Sequence, residues 1–231
     1  AGLLLFAKDT QRHIKGADIT AARFPGENMS DNFNRQDLTG TLPDQIRRAE
    51  TFLLDYLRKT QQLGRTMARE ERLEYPLEAA RELVVNAVAH RDYSISGDGI
   101  RLFLFRDRME VTSPGGLAGP VTINNIKDER FSRNPTIVQI LSDMGFIERL
   151  GYGVDRVIDL MAQQNLRGPE FEETGGGFRV TLYALEDPVE EAVSASEPTP
   201  AMLQFNGEYN GVAINPRQQE AMTYLLGGSS R

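Results

Sequence analysis

The 231-residue chain contains no cysteine and no tryptophan. Without thiols it can form no disulfide, thiolate zinc site or iron–sulfur cluster, and it has no cysteine nucleophile. Only two histidines are present, His13 and His90, too few for a histidine-built metal centre. The longest apolar runs are about five residues, far short of the roughly 20 needed to cross a bilayer. No charged, apolar and small-residue order at the start marks a secretory leader. These absences predict a soluble, cytoplasmic protein. Positive charge is also scarce, with 26 Lys and Arg against 33 Asp and Glu, a net charge of −7. Coating duplex DNA over a whole surface needs a basic excess, so that function class is disfavoured, although a small basic sub-region is not.

What is present is ordinary for a globular protein: 40% hydrophobic and 26% charged residues. At about 150 residues per domain, the length allows one large domain or two small ones. The acidic excess is local. Glu186, Asp187, Glu190, Glu191, Glu197 and Glu208 fall between Glu186 and Pro216 with no Lys or Arg among them. Removing these six acids and the net +1 of the last fifteen residues leaves −2 for residues 1–185. The acidic stretch also holds Pro188, Pro198 and Pro200 and shows no helical or alternating period. Residues 186–214 therefore read as a linker extended by proline and self-repulsion, rather than as a surface loop.

Apolar periodicity divides the remainder. The run Leu3-Leu4-Leu5-Phe6 reads as a buried strand, and Asp18–Phe24 alternates as a second strand ended by Pro25-Gly26. Two strands fold poorly alone, so their sheet partners are expected elsewhere, and both chain ends read as cut. Ile46, Ala49, Leu53, Leu54 and Leu57 recur at helical spacing after Leu42-Pro43. Residues 64–75 alternate loosely as a strand, and Pro76 opens a helix to about Arg91. A hairpin follows at Ile100–Phe105 and Met109–Thr112. Further helices are expected from Asn134-Pro135 to about Met144 and over Val154–Gln164, with a last strand at Phe178–Tyr183. Asn215-Pro216 starts one more helix, read as the beginning of a further domain. Helices followed by hairpins, without a strict βαβ rhythm, predict an α+β sandwich of helices on one face of a mixed sheet.

The Pro76–Arg91 helix is the most informative stretch. Leu83, Val84, Val85, Ala87, Val88 and Ala89 make it apolar nearly all round, so it should be buried. Yet Glu78, Glu82, Asn86 and His90 recur every four residues as one polar stripe. A solvated face is the ordinary explanation of such a stripe. The alternative is a carboxylate and an amide one turn apart that hold a divalent cation and orient a water. Three glycine clusters follow: Ser113-Pro114-Gly115-Gly116, Gly151-Tyr152-Gly153 and Gly175-Gly176-Gly177. Each alone is compatible with a plain turn. Glycines before a helix also let backbone N–H groups approach phosphate.

These motifs in this order, Glu82-Leu-Val-Val-Asn86-Ala-Val-Ala-His90-Arg91-Asp92-Tyr93, then SPGG, Ser132-Arg133-Asn134-Pro135, GYG and GGF, carry a resemblance. Residues 77–183 resemble the C-terminal domain of "RecG-like" or "divergent AAA" bacterial and archaeal regulators, a degenerate member of the GHKL ATPase fold of gyrase B and histidine kinases. Residues 1–26 are similar to the end of the Schlafen AlbA-type domain that precedes it there, and residues 215–231 to the first helix of a winged-helix domain. The resemblance implies a GHKL-like domain over 27–185 that binds ATP and Mg²⁺. It implies Glu82 as catalytic base and Asn86 as magnesium ligand, with His90, Gly115, Gly116, Arg133, Gly151, Gly153 and Gly177 around the nucleotide. It also implies a homo-oligomeric regulator that meets DNA through its flanking domains, or a dimerisation scaffold with a decayed nucleotide site. Ser113-Pro114 stands where the family carries an adenine-binding aspartate. No G-x-x-x-x-G-K-[ST] loop occurs, so a P-loop motor is not supported.

Overall fold

The computed structural model describes residues 1–63, 69–147, 153–184, 208–209 and 212–213. The chain divides into two units, Ala1–Glu186 and Asp187–Arg231. In chain order the first runs α1 (Gly2–Phe6), α2 (Thr10–His13), β1 (Ile19–Arg23), β2 (Asn34–Leu38), α3 (Leu42–Tyr56), β3 (Lys59–Leu63), β4 (Arg69–Leu73), α4 (Leu77–His90), β5 (Ile100–Leu104), β6 (Arg108–Pro114), α5 (Pro135–Asp143), α6 (Gly153–Gln163), β7 (Glu170–Thr174) and β8 (Gly177–Tyr183). In the second, β9 (Glu208–Tyr209) pairs antiparallel with β10 (Val212–Ala213), inside the stretch expected as a linker. The rest of that stretch and the helix expected at 215–231 lie outside the described residues.

Strand alternation builds the first unit. In β5, Ile100, Leu102 and Leu104 are buried while Arg101 between them is exposed. Met109, Val111, Val180 and Leu182 continue this inward face on β6 and β8. The six strands lie in the order β2-β1-β5-β6-β8-β7. Only β1 and β5 are parallel, and every other neighbouring pair is antiparallel. The outward face carries polar pairs, with Arg108 2.7 Å from Glu110 and Arg179 3.6 Å from the same carboxylate. The molecule is thus an α+β fold with helices over one face of a mixed sheet.

The helices cover the inward face because their apolar residues are placed to do so. Thr41 caps α3, its hydroxyl accepting from Asp44 N–H, and the helix buries Leu42, Ile46, Ala49, Phe52 and Leu53. Helix α4 buries Ala79, Ala80, Leu83, Val84, Val85, Ala87, Val88 and Ala89, and packs between α3, α6 and strands β5 and β6. Each fully buried Leu or Val contributes roughly 1.5–3 kcal/mol relative to exposure, which makes α4 the centre of the core.

Several elements differ from expectation. Residues 2–6 form helix α1, not a strand: Leu4 and Leu5 are buried, while Leu3 and Phe6 are exposed. Adjacent residues facing one side fit a helical turn, and an unbroken apolar run does not reveal its period. Residues 1–26, expected as the end of a preceding domain, supply β1, an interior strand of this same sheet. Its partners are within the chain, because β2 and β5 satisfy both of its edges. Strands β2 and β7 were not legible, since NRQDL and EFEET are polar sequences at the two sheet edges. The strand expected over 64–75 is in part β4, which pairs with β3, and residues 64–68 lie outside the described set. Among the described residues no helix is long and apolar enough to cross a membrane.

Candidate functional site

The polar stripe of α4 divides: Glu78 is exposed on the surface, and the other three residues open onto a cavity. Glu82, Asn86 and His90 line a cavity of about 420 Å³. Its floor is the sheet, with Val111 and Ser113 from β6 facing Val180 and Phe178 of β8 in register, and Phe171 of β7 beside them. Helix α5 contributes Val138 and Ser142, and α6 contributes Gly153, Val154 and Arg156. The loop between β6 and α5 closes it with Leu117, Val121, Ile126 and Phe131. The walls are largely apolar, with a few convergent polar groups, as ligand cavities are.

Asn86 Nδ2 donates to Glu82 Oε1 at 3.3 Å, so the carboxylate and amide expected to work together are in contact. Gly153 abuts them. A Cβ at this position would run into Glu82 Oε1 and lie 3.0 Å from Asn86 Nδ2. The start of α6 therefore approaches the pair only because the residue has no side chain. Gly115 and Gly116 also line the cavity, in the turn that leaves β6. Gly151 lies outside the described residues.

Arg133 and Gly177 are not among the lining residues. Arg133 donates to Asp92 Oδ2 at 3.0 Å and to the carbonyl of Gly116, and so braces the end of the loop. Gly177 sits where β8 passes closest to the Ser113 carbonyl. Ser113 donates its hydroxyl to Ala87 O at 3.0 Å, joining the sheet to α4.

The run His90-Arg91-Asp92-Tyr93 is mostly bracing. Arg91 is fully buried, donates to the carbonyls of Ile95 (3.1 Å) and Asp98 (2.7 Å), and lies over the Tyr93 ring. Burial pushes its pKa below the usual arginine value. Tyr93 donates to Val88 O at 2.8 Å, and burial raises its phenol pKa. Asn134 is the residue just before α5. Its side chain makes no cap bond and donates instead to Ala89 O and Arg91 O, 2.9 and 2.8 Å away, fixing the start of α5 to the end of α4.

His90 keeps accessible surface, yet it stands in a concave wall with protein on most sides. Desolvation there lowers its pKa from the ordinary 6.5, and the Arg133 charge adds to the shift. The unfolded chain then takes up a proton more readily than the folded one. The contribution of His90 to stability is present above about pH 6.5 and is lost as pH falls from there through the lowered folded value. Asp92, held below its usual value first by hydrogen bonds from Ser94, acts only near and below pH 4. Urea titrations at pH 7.5 and 5.5 are expected to show lower stability at pH 5.5, with that difference reduced in His90→Gln. An unchanged difference in the variant would assign it to other groups.

Ser142 and Arg156 were not among the expected site residues, and Ser132 stood in its motif without an assigned role. Ser132 and Ser142 line the cavity with hydroxyls that are buried and have no protein partner among the described residues. Serines of this kind have no sequence signature. Arg156, on the first turn of α6, lines the cavity and pairs with Glu78 at 3.1 Å. Its position just after Gly-Tyr-Gly was the available signal. Among the described residues no group of three or more His, Asp or Glu side chains could hold a metal ion.

Residues 97–182 match the sequence model of a family described as "Putative ATP-dependent DNA helicase recG C-terminal". That range runs from β5 to β8 and takes in the cavity floor, the loop and α6, but it stops short of α4. The fold is similar to that of the DIP2311 protein from Corynebacterium diphtheriae, with a TM-score of 0.66 and 24% sequence identity over 74% of this chain. The similarity covers 35% of that protein, so this chain spans about a third of its length. At that identity the likeness concerns the fold. No curated protein matches the sequence.

Proposed function

We propose that the cavity is a nucleotide site that takes ATP with Mg²⁺, and that its occupancy regulates DNA binding by flanking domains of a homo-oligomer. The observation that carries the reading is the meeting of Glu82, Asn86 and Gly153 at one end of a cavity of about 420 Å³. A helix start that approaches through a glycine suits phosphate oxygens, since its first N–H groups have no partner within the helix. The match of residues 97–182 to a family described as ATP-dependent supports the same ligand.

The donor set fits this ligand. Asn86 gives its amide nitrogen to Glu82, which leaves the amide oxygen for a cation. With no cluster of carboxylates and imidazoles among the described residues, the remaining magnesium ligands would come from the nucleotide phosphates and water. The metal would supply charge neutralisation on those phosphates. Glu82 is the general base of this reading, its carboxylate held by Asn86 at the start of α6.

A second reading, a dimerisation scaffold without nucleotide affinity, is favoured by one observation. The Ser113 hydroxyl is already given to the Ala87 carbonyl, and no carboxylate stands beside it on β6. The lined cavity weighs against this reading, since Glu82, Asn86 and His90 all reach it. Isothermal titration with ATP–Mg²⁺ separates the two. Binding is expected in the parent and is expected to weaken about tenfold in Asn86→Ala, the size of one lost charge-assisted contact. Absence of heat in the parent would leave the scaffold. If the parent turns ATP over, an unchanged rate in Glu82→Ala removes Glu82 as the base.

A further inference from the structure

Both edges of the six-stranded sheet are polar strands, and their charges are arranged differently. At one edge lies β7, EFEET, and at the other β2, NRQDL. An edge strand offers a row of backbone donors and acceptors to any strand that fits, unless charge or cover prevents it. Strand β7 is guarded by like charge. A second copy laid antiparallel on it, about a two-fold axis through any of residues 170–173, sets glutamate opposite glutamate. Strand β2 carries one charge of each sign. Its register with β1 sets Arg35 opposite Ala22 and Asp37 opposite Thr20, so both lie on the sheet face away from the helices. Gln36, opposite the buried Ala21, lies on the helix side. Asn34, Arg35, Gln36 and Asp37 are all exposed.

Charge selects one register for β2 against its own copy. A two-fold axis through Arg35 opposes two arginines, and an axis through Asp37 opposes two aspartates. With the axis through Gln36, Arg35 of each chain meets Asp37 of the other, twice. The two Gln36 amides, each both donor and acceptor, then face each other. Among the described residues little covers this edge. The loop between β1 and β2 folds back over the outer face, where Glu27 O accepts from Arg108 at 2.8 Å and Phe33 stacks on Phe24 with ring centroids 5.3 Å apart. Arg48, exposed on α3, does reach the edge, donating to Asp37 O at 3.3 Å and to Thr39 O at 3.1 Å. It fills the Asp37 carbonyl as a neighbouring strand's N–H would, and an exposed side chain can yield that place. Within one chain Arg35 Nη2 lies 2.9 Å from Asp37 Oδ1, and Thr20 Oγ1 donates to the same oxygen at 3.2 Å. An ion pair in solvent is worth little, so exchanging it for a partner in a second chain costs little.

We propose that two copies of this chain associate through β2, antiparallel about a two-fold axis at Gln36, so that their sheets join into one. The contact is isologous and closes at two chains. Pairing β2 with β7 of another copy would instead leave an edge free at each end and go on adding chains. The β2 pairing gives the homo-oligomer proposed above its surface, and it needs nothing of the nucleotide site.

The test is sedimentation velocity over a concentration series, without nucleotide, on the full chain, on Arg35→Asp, on Asp37→Arg and on the double exchange. The parent is expected to pass from monomer to dimer as concentration rises. Arg35→Asp sets aspartate against aspartate and Asp37→Arg sets arginine against arginine, so each alone should weaken dimerisation by about tenfold or more. Mixed in equal amounts, the two single variants should pair with a Kd like the parent's, since every carboxylate then faces a guanidinium. The double exchange should self-associate like the parent for the same reason. Both positions are exposed, so all variants should melt near the parent temperature. A parent that stays monomeric, as when another segment of the chain covers β2, overturns the proposal. So does a dimer that the single variants leave intact, or a mixture that recovers no association. Should a single variant fail to fold, the double exchange decides alone, and a monomer there is equally fatal. ATP binding by a monomeric chain would remove this interface and keep the cavity reading, while a β2 dimer that binds no nucleotide would do the reverse.

Discussion

Gly153→Ala is expected to abolish measurable ATP–Mg²⁺ binding, by about 100-fold or more, while the protein stays folded. The added methyl group would run into Glu82 Oε1 and press on Asn86 Nδ2 at 3.0 Å. The atom in the way is the far end of a flexible side chain, so Glu82 can swing aside and the backbone need not move. Alanine is also a better helix residue than glycine by roughly 1 kcal/mol, which offsets part of the crowding. Function has no such relief. The methyl fills the approach to the start of α6, and the same displacement breaks the Asn86–Glu82 contact on which the proposed cation and base positions depend. A loss of about 100-fold corresponds to about 2.7 kcal/mol of binding free energy. Titration calorimetry and a thermal melt on the same sample measure both halves of the prediction. Parent-like affinity would place the ligand away from this end of the cavity, and a large drop in melting temperature would show that α6 cannot accommodate the change.

Gly177→Ala is expected to act in the opposite way, on the fold. A Cβ there would run into the backbone oxygen of Ser113, lie 3.1 Å from its carbonyl carbon and 3.3 Å from Pro114 Cα. All three are backbone atoms of the partner strand in the β6–β8 ladder, where Pro114 faces Gly177. No rotamer change removes the clash, so the strands must separate. A cost of about 2–4 kcal/mol follows from overpacking of this kind. For a domain of this size that is a fall of roughly 5–15 °C in melting temperature. Gly175→Ala is the control, since nothing lies within 4 Å of the added methyl, and it should stay within about 0.5 kcal/mol of the parent. Equal effects from the two substitutions would mean that the turn, not the strand contact, needs glycine.

Much of the fold was legible where apolar residues keep a clear period. Strands β1, β5, β6 and β8 and helices α3, α4, α5 and α6 all follow such patterns, because burial on one face selects residues at a spacing of two or of three to four. The edge strands β2 and β7 were hidden for the same reason. An edge facing water is under no pressure to be apolar, and NRQDL reads as a loop until β1 is seen beside it. The N-terminal run LLLF misled because it has no polar residue to mark its period. At the site, the expected association of Glu82, Asn86, His90, Gly115, Gly116 and Gly153 is present around one cavity. Arg133 belongs to the brace beneath it, a role that needs Asp92, 41 residues away, to be seen.

The absences noted in the sequence determined much by composition alone: without cysteine no metal can be held by thiolate, and with two histidines no centre can be built from imidazoles alone. The stripe of Glu82, Asn86 and His90 was likewise fixed by helical spacing. Whether that stripe meets water, a neighbouring helix or a cavity is a matter of what packs opposite, and only the placement of α5, α6 and the β6–α5 loop decides it. The run Gly175-Gly176-Gly177 shows the same division at the scale of single atoms. Three identical residues are indistinguishable along the chain, yet only Gly177 has the carbonyl of Ser113 where a side chain would stand. Local sequence sets which conformations a residue can adopt. Long-range contacts between segments distant in the chain set which of its atoms have room.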